Sequence, residues 1–328
     1  MADDWRPTAS REALVAAAAV RRRLRDFLEA RGYLEVETPV LSAAGNPDPA
    51  VEPLTSHWSG PGGDHPVYLA TSPEFAMKRL LADGSGPIYQ FARAFRREER
   101  GRRHNPEFTL LEWYRPDVAP AAFIDELVEL VRAGVGETLP ARRMTVREAF
   151  AAVGGPDPHT ATLDDWRAAA RDRAVAGQAR AEATPDLGTD PAVWRDWLLT
   201  HAVEPWLAEQ GLVVLTDYPA DQAALARVRP GDPPVAERFE VYLHGVELAN
   251  GFHELDDAAE QRARFEADNA RRRADGQTSV AVDERLLAAL ESGLGDCCGV
   301  ALGVDRLVMG AVGAGRLDEV LAFPVERA

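Results

Sequence analysis

Hydrophobic and polar positions change period several times along this chain, and each change marks an element. Between residues 11 and 30 the apolar positions Leu14, Ala17, Ala18, Leu24, Phe27 and Leu28 recur at helical spacing, with Ser10 placed to cap the start and Gly32 to stop the end. Residues 32–39 read as a turn into a short strand closed by Pro39. Residues 42–66, rich in Pro, Gly, Ser and Asp, predict a long loop with one hairpin. A short strand at 67–71 leads into Ser72-Pro73-Glu74, a helix start with Ser72 as cap, Pro73 at the first position and Glu74 at the positive end of the helix dipole. Alternation then predicts strands over 87–96 and 107–115 around a charged loop at 97–105.

From about 117 to 235 the chain is Ala-, Asp- and Pro-rich, with helical stretches and few convergent polar groups, and predicts helical cover or an insertion. Beyond it the pattern predicts a hairpin at 238–250 turning at His244-Gly245, a second turn at Asn250-Gly251, helices at 258–273 and 283–290, and a strand–helix unit over 299–309. With no internal repeat and no linker between these parts, residues 1–328 are expected to form a single α+β domain.

Composition changes the picture modestly. Hydrophobic residues make up 46% and charged residues 27%, enough apolar material for a sizeable core. The net charge of −16 argues against sequence-independent nucleic-acid binding. Basic clusters at Arg21-Arg22-Arg23, Arg102-Arg103 and Arg271-Arg272-Arg273 read as solvated faces or as docking patches for acidic groups. Cys297 and Cys298 are adjacent, a poor geometry for a disulfide, which fits a reducing, cytoplasmic setting. The apolar run at 13–20 is too short to span a bilayer, no signal peptide is evident, and no membrane partner is expected.

Three constellations carry candidate chemistry. On the strand at 87–96, Gln90, Ala92, Ala94 and Arg96 share one face, while Phe108, Leu110, Glu112 and Tyr114 share a face of the returning strand. A trough floored by alanines and edged by Arg, Glu, Tyr and Phe suits a planar phosphorylated ligand, although the same alternation fits a half-exposed hairpin. In the second hairpin, residue 243 is expected to pair with 246 and 242 with 247. That sets Glu240 diagonally beside Glu247 on one face, two like charges that a cation such as Mg²⁺ could bridge, or else surface glutamates. In the third, small residues at 299, 301 and 303 precede Arg306 in a first helical turn, against the dipole unless an anion binds there. Neither a Walker-type loop nor a dinucleotide fingerprint is present, and His104 and His253 are lone acid–base candidates.

Taken in order, Arg31-Gly32-Tyr33 with Thr38-Pro39, Phe95-Arg96-Arg97-Glu98 with Arg103-His104-Asn105-Pro106-Glu107-Phe108-Thr109, and Gly303-Val304-Asp305-Arg306-Leu307 resemble the three signature motifs of class II aminoacyl-tRNA synthetases. Within that class the 103–114 and 237–255 segments are similar to the lysine-specific branch. Thr71-Ser72-Pro73-Glu74 and Ala301, with only about thirty residues before the first motif, are similar to truncated paralogues of lysyl-tRNA synthetase that act on elongation factor P. The resemblance implies a class II catalytic domain, an antiparallel sheet flanked by helices, with no N-terminal OB-fold anticodon-binding domain. It implies an ATP-dependent, AMP-forming ligase that activates (R)-β-lysine or lysine and transfers it to a lysine of elongation factor P. Its implied ATP contacts are Arg96, Arg97, Glu98, Asn105, Phe108, Glu247, Leu248, Gly303 and Arg306, with Arg96 and Arg306 catalytic. Mg²⁺ falls to Glu240 and Glu247, and the amino acid to Ser72, Pro73, Glu74, Tyr114, Glu254 and Ala301. A homodimer is implied through the first motif, and tRNA is not expected as a substrate. The rival readings are a lysyl-activating enzyme that loads tRNA or a small molecule, and a non-catalytic paralogue that binds an amino acid or nucleotide.

Overall fold

The computed structural model describes residues 5–61, 63–97, 99–175 and 186–328. Its elements divide between two compact units, one formed by Met1–Thr138 with His253–Ala328 and the other by Leu139–Phe252.

The first unit opens with α1 (Arg11–Glu29), capped by the Ser10 hydroxyl, which accepts from the Ala13 amide. The stripe that buries is Ala17, Val20, Leu24 and Leu28; Val20 takes the place expected of Leu14, which stays exposed. Short strands β1 (Leu34–Glu35) and β2 (Leu41–Ser42) follow, then the hairpin β3 (Thr55–Gly60) and β4 (Gly63–Leu69), α2 (Glu74–Ala82), β5 (Ile88–Phe95), β6 (Glu107–Pro116) and α3 (Pro120–Val135).

The second unit contains β7 (Ala141–Thr145), α4 (Val146–Ala152), α5 (Leu163–Val175), α6 (Pro191–Leu198), α7 (Glu204–Ala208), β8 (Leu212–Pro219), β9 (Val228–Arg229), β10 (Val235–Leu243) and β11 (Val246–His253). The chain then returns to the first unit with α8 (Ala258–Ala274), α9 (Glu284–Gly293), β12 (Cys297–Gly303) and α10 (Val304–Val312).

In the first unit β5 pairs antiparallel with β6 and β6 with β12, while β1 joins β5 in parallel and β2, β4 and β3 form a separate small antiparallel sheet. Register puts Gln90 opposite Glu112, Ala92 opposite Leu110 and Ala94 opposite Phe108. It also puts Gly299 opposite Tyr114, Ala301 opposite Glu112 and Gly303 opposite Leu110. The expected trough is therefore one continuous face of three strands, widened by small residues on both outer strands. Helices α1, α3 and α10 pack together. Gly134 permits their close approach, since a Cβ there would lie 2.6 Å from Leu307 Cδ2. Arg23, from the first basic cluster, donates to the terminal α3 carbonyls of Ala133 (2.8 Å) and Gly134 (2.5 Å). Arg272, from the third cluster, is fully buried with Glu52 at 2.5 Å, so it is neither a solvated face nor a docking patch.

In the second unit β7 and β8 run parallel, β8 pairs antiparallel with β10 and β10 with β11. The sequence pattern placed helices here and missed β8. Leu212, Val213, Val214 and Leu215 are all fully buried, and a continuous apolar run of that kind carries no period. The expected hairpin is present, turning at His244-Gly245 with both φ angles positive (49° and 70°) and pairing 243 with 246 and 242 with 247. Asn250-Gly251 is not a turn: both continue β11, opposite Glu240 and Phe239. The resulting fold is α+β, with mostly antiparallel strands flanked by helices, as the sequence predicts. Among the described residues no helix is long and apolar enough to cross a membrane.

The core of the second unit gathers Phe150, Trp166, Trp194, Leu198, Val213, Leu215 and Tyr242. Phe150 and Trp166 meet edge to face with centroids 5.5 Å apart. Trp166→Ala is expected to lower unfolding free energy by about 3–5 kcal/mol, measured by chemical denaturation.

Candidate active site

In the first unit the face of β5, β6 and β12 carries a buried cluster of ionisable groups. Glu112 is its hub. The Tyr114 hydroxyl donates to Glu112 Oε1 at 2.6 Å and the Ser72 hydroxyl donates to Glu112 Oε2 at 2.8 Å. The Ser72 hydroxyl also accepts from the Glu74 amide at 3.0 Å, so the residue that begins α2 ties that helix to β6. Pro73 takes the capping position itself. From α2, Lys78 places its ammonium 2.6 Å from Glu74 Oε1 and 2.6 Å from Glu254 Oε2. Lys78, Glu112 and Glu254 are each 1% exposed.

Backbone geometry makes room for this cluster at Gly299. A Cβ there would stand 2.3 Å from Glu254 Oε1 and 2.3 Å from Tyr114 Cε1, so any side chain at 299 would displace the carboxylate and the ring. Ala301, directly across from Glu112, is the next small residue on that face.

Burial, then the charge of Glu74, pushes the Glu112 carboxyl up to about 8 against the hydrogen bonds from Tyr114 and Ser72. Burial works against the Lys78 ammonium, but Glu254 and then Glu74 outweigh it and hold its pKa above the ordinary lysine range. Burial, followed by Glu112, likewise raises the Tyr114 phenol, which stays protonated and donates.

A second group lies at the loop between β5 and β6. The Arg96 guanidinium stands 5.1 Å from the Phe108 ring centroid and donates to Glu99 Oε1 at 2.8 Å. Glu99 Oε2 lies 4.0 Å from His104 Nε2, and the same nitrogen is 2.7 Å from an Arg306 guanidinium nitrogen. Arg306 occupies the first turn of α10, as expected, and also donates to the Arg103 carbonyl at 3.2 Å. Burial, then the positive charge of Arg306, lowers the His104 pKa, which suits a neutral imidazole accepting from the guanidinium. Two arginines expected to handle phosphate are thus each held by a neighbour, Arg96 by Glu99 and Arg306 by His104, two residues to which the motif assigns no role. Asn105 is buried, donates to the Glu107 carbonyl at 2.6 Å and accepts from the Val325 amide at 3.0 Å. Gly303 closes β12, and Arg97 donates its amide to the Glu52 carbonyl at 2.8 Å. Glu98 lies outside the described residues.

In the second unit, Glu240 and Tyr242 share a face of β10, and Glu247 lies opposite Tyr242. Glu240 is buried, accepts from the Tyr242 hydroxyl at 2.6 Å and is paired with Arg238, whose ring neighbour is Tyr218 at 4.7 Å. A side-chain cation, Arg238, lies beside these glutamates: burial opposes its charge, but Glu240 foremost, with Glu247 adding, holds it above the ordinary arginine range. Leu248 is buried beside them in the sequence. Among the described residues no group of three or more His, Cys, Asp or Glu is placed to hold a metal. Cys297 and Cys298 are free, buried thiols.

Glu112 lies on the face that the alternation of β6 predicts, although its pattern carries no substrate role, and no sequence expectation singles out Lys78. The available signal was Lys78 on the same helical face as Met77 and Leu81, four residues after Glu74.

The sign of the Glu112 shift yields a stability prediction. Its pKa rises from 4.5 to about 8 on folding, so the folded chain holds a proton that the unfolded chain has released between those values. Stability from this group is present below the lower value and is lost as pH rises through the upper one. Glu112→Gln is expected to flatten that decline, measured by denaturant unfolding at several pH values across the window.

Residues 3–327 match the family model of tRNA synthetases class II (D, K and N). A Vibrio cholerae protein named elongation factor P–(R)-β-lysine ligase is 46% identical over 327 residues, covering 99% of each chain. Proteins of the same name from Klebsiella pneumoniae and Salmonella arizonae are 47% and 45% identical over 326 residues, covering 99% of this chain and 98% of theirs. With the match running through nearly its whole length, the chain belongs to the class II tRNA synthetase family that serves Asp, Lys and Asn.

Proposed function

We propose that this protein activates (R)-β-lysine, or lysine, with ATP and transfers it to a lysine side chain of elongation factor P. The observation that carries the reading is the convergence of buried Glu112 and Glu254 with half-buried Glu74 at one sheet face, a carboxylate-rich site suited to a ligand with two ammonium groups. Ser72, Tyr114 and the backbone gap at Gly299 shape it, Ala301 lies across from Glu112, and Pro73 starts the helix that delivers Glu74. The relatives named for this reaction supply the identity of the amino acid and of the acceptor.

In the first half-reaction an oxygen of the substrate carboxylate attacks the α-phosphorus of ATP. A P–O bond forms, pyrophosphate leaves, and an aminoacyl-adenylate remains. Arg96 and Arg306 hold phosphate oxygens and offset the charge that builds on them, with Phe108 stacking on the base; Asn105, Arg97 and Gly303 complete the ATP contacts of this unit. Glu99 and His104 each hold one of these guanidinium groups in place before nucleotide arrives. Glu240 and Glu247 offer the oxygen donors that suit Mg²⁺, and the ion when bound neutralises phosphate charge. In the second half-reaction the acceptor amine attacks the acyl carbon, AMP leaves, and an amide forms as the amine gives up a proton. Exposed Leu34, Val40 and Leu41 around the first motif support a homodimer. A cytoplasmic location fits a modifier of a translation factor.

Incubation with ATP, each lysine isomer and elongation factor P, followed by intact-mass analysis, tests the proposal. The factor is expected to gain one lysyl residue, with greater yield from (R)-β-lysine. An unchanged factor alongside aminoacylated tRNA would contradict it.

A further inference from the structure

Lys78 sits where an anionic pocket should least want a lysine. It is fully buried and points an ammonium at two of the carboxylates proposed to hold the amino acid's own ammonium groups, Glu74 and Glu254, at 2.6 Å each. The ionisable groups around it are Glu74 on its own helix, Glu254 beyond β11, Glu112 and Tyr114 on β6, and Cys297 on β12, whose thiol is raised first by burial and then by Glu254. Met77 and Leu81 bury beside it on α2.

Charge decides what Lys78 does there. Three carboxyls brought together out of water cannot all stay ionised: like charges at close range and lost hydration favour taking up protons. A protonated carboxyl binds an ammonium poorly. One fixed cation bridging two of the three offsets their charge, and it also fixes where they stand. Glu254 turns Oε2 to Lys78 and carries Oε1 over Gly299 beside the Tyr114 ring, on the open strip of small residues. Each bridged carboxylate gives one oxygen to Lys78. The cluster of Glu74, Glu254 and Lys78 retains one net negative charge, before any contribution from Glu112.

Resting on the functional reading above, we infer that Lys78 is a positioning residue for diamino-acid recognition: it never touches the substrate but compensates the charge of Glu74 and Glu254 and holds them at a set spacing. A lysine elsewhere on α2 would form an ordinary i,i+4 pair with Glu74. Bridging to Glu254 makes this one part of the pocket.

The test is Lys78→Met, assayed by amino-acid-dependent pyrophosphate exchange with separate titrations of (R)-β-lysine and ATP at about pH 7 and about pH 8.5, alongside thermal melting. Without the bridge at least one carboxyl takes up a proton, and each unit of upward shift beyond the assay pH costs roughly tenfold in its charged form. KM for the amino acid is therefore expected to rise about tenfold or more at the lower pH. KM for ATP should stay within about twofold. The amino-acid defect should shrink at the higher pH as the carboxyl ionises again. A folded variant whose KM for the amino acid is unchanged, or is raised equally at both pH values, overturns the inference.

Lys78→Met can also fail to fold, and Lys78→Met/Glu74→Gln covers that case by removing one charge of each sign. The double variant is expected to melt above Lys78→Met. A double variant melting at or below the single one shows that Lys78 acts by packing and overturns the charge role. Melting needs no substrate, so this outcome is distinguishable from failure of the functional reading, which shows as absent exchange in the unmodified protein.

Discussion

The site depends on one electrostatic constraint: carboxylates brought out of water must be charge-compensated or give up their charge. Glu112 and Glu254 are almost completely buried and Glu74 reaches the same cluster, which water would otherwise solvate. Two solutions operate side by side. Lys78 compensates Glu74 and Glu254 by direct ion pairing, whereas Glu112 receives hydroxyl hydrogen bonds from Ser72 and Tyr114 and has its pKa raised. Desolvation is the first cause acting on Lys78, yet the two carboxylates win, which is why a buried lysine keeps its proton here. Arg238 solves the same problem in the second unit, compensating Glu240 and Glu247.

Sheet architecture serves that constraint. Three adjacent strands present one face, and the outer two place Ala92, Ala94, Gly299 and Ala301 on it. Small residues leave space above the sheet, and the central strand fills part of it with Glu112 and Tyr114. At Gly299 the requirement is steric rather than conformational, because Glu254 and the Tyr114 ring already occupy the volume a Cβ would need. Ser72 then couples the helix bearing Glu74 and Lys78 to the strand bearing Glu112. At the other end of the face, Arg96 donates to Glu99 and Arg306 to His104, so the two positive groups are held by separate acceptors.

Much of this was legible in the sequence where a local rule decides the outcome. Ser10 caps α1 because a short hydroxyl before an apolar helical stripe satisfies an orphan amide. His244-Gly245 set the first two pairs of the hairpin, 243 with 246 and 242 with 247, before a bulge between Val241 and Tyr242 shifts the register by one. Arg306 could be placed in the first turn of α10 from the small-residue strand before it. The misses share one cause, which is that tertiary partners override local pattern. Asn250-Gly251 looks like a turn, but the ladder with Glu240 and Phe239 carries both into β11. The buried run of β8 has no period to read. Lys78 four residues after Glu74 looks like a surface ion pair until Glu254, remote in sequence, arrives at its other side.

If the account is right, the pocket recognises the number of positive charges on its ligand more strictly than the shape. Paired buried carboxylates left facing a methyl group lose their partner and keep their desolvation cost. The direct measurement is amino-acid-dependent pyrophosphate exchange with lysine compared against norleucine, an analogue of similar length that lacks the terminal ammonium. Catalytic efficiency is expected to fall by about a thousandfold or more for norleucine. Efficiencies within about tenfold of each other, the range that apolar contacts alone provide, would contradict the claim that the buried carboxylate–lysine cluster defines the substrate.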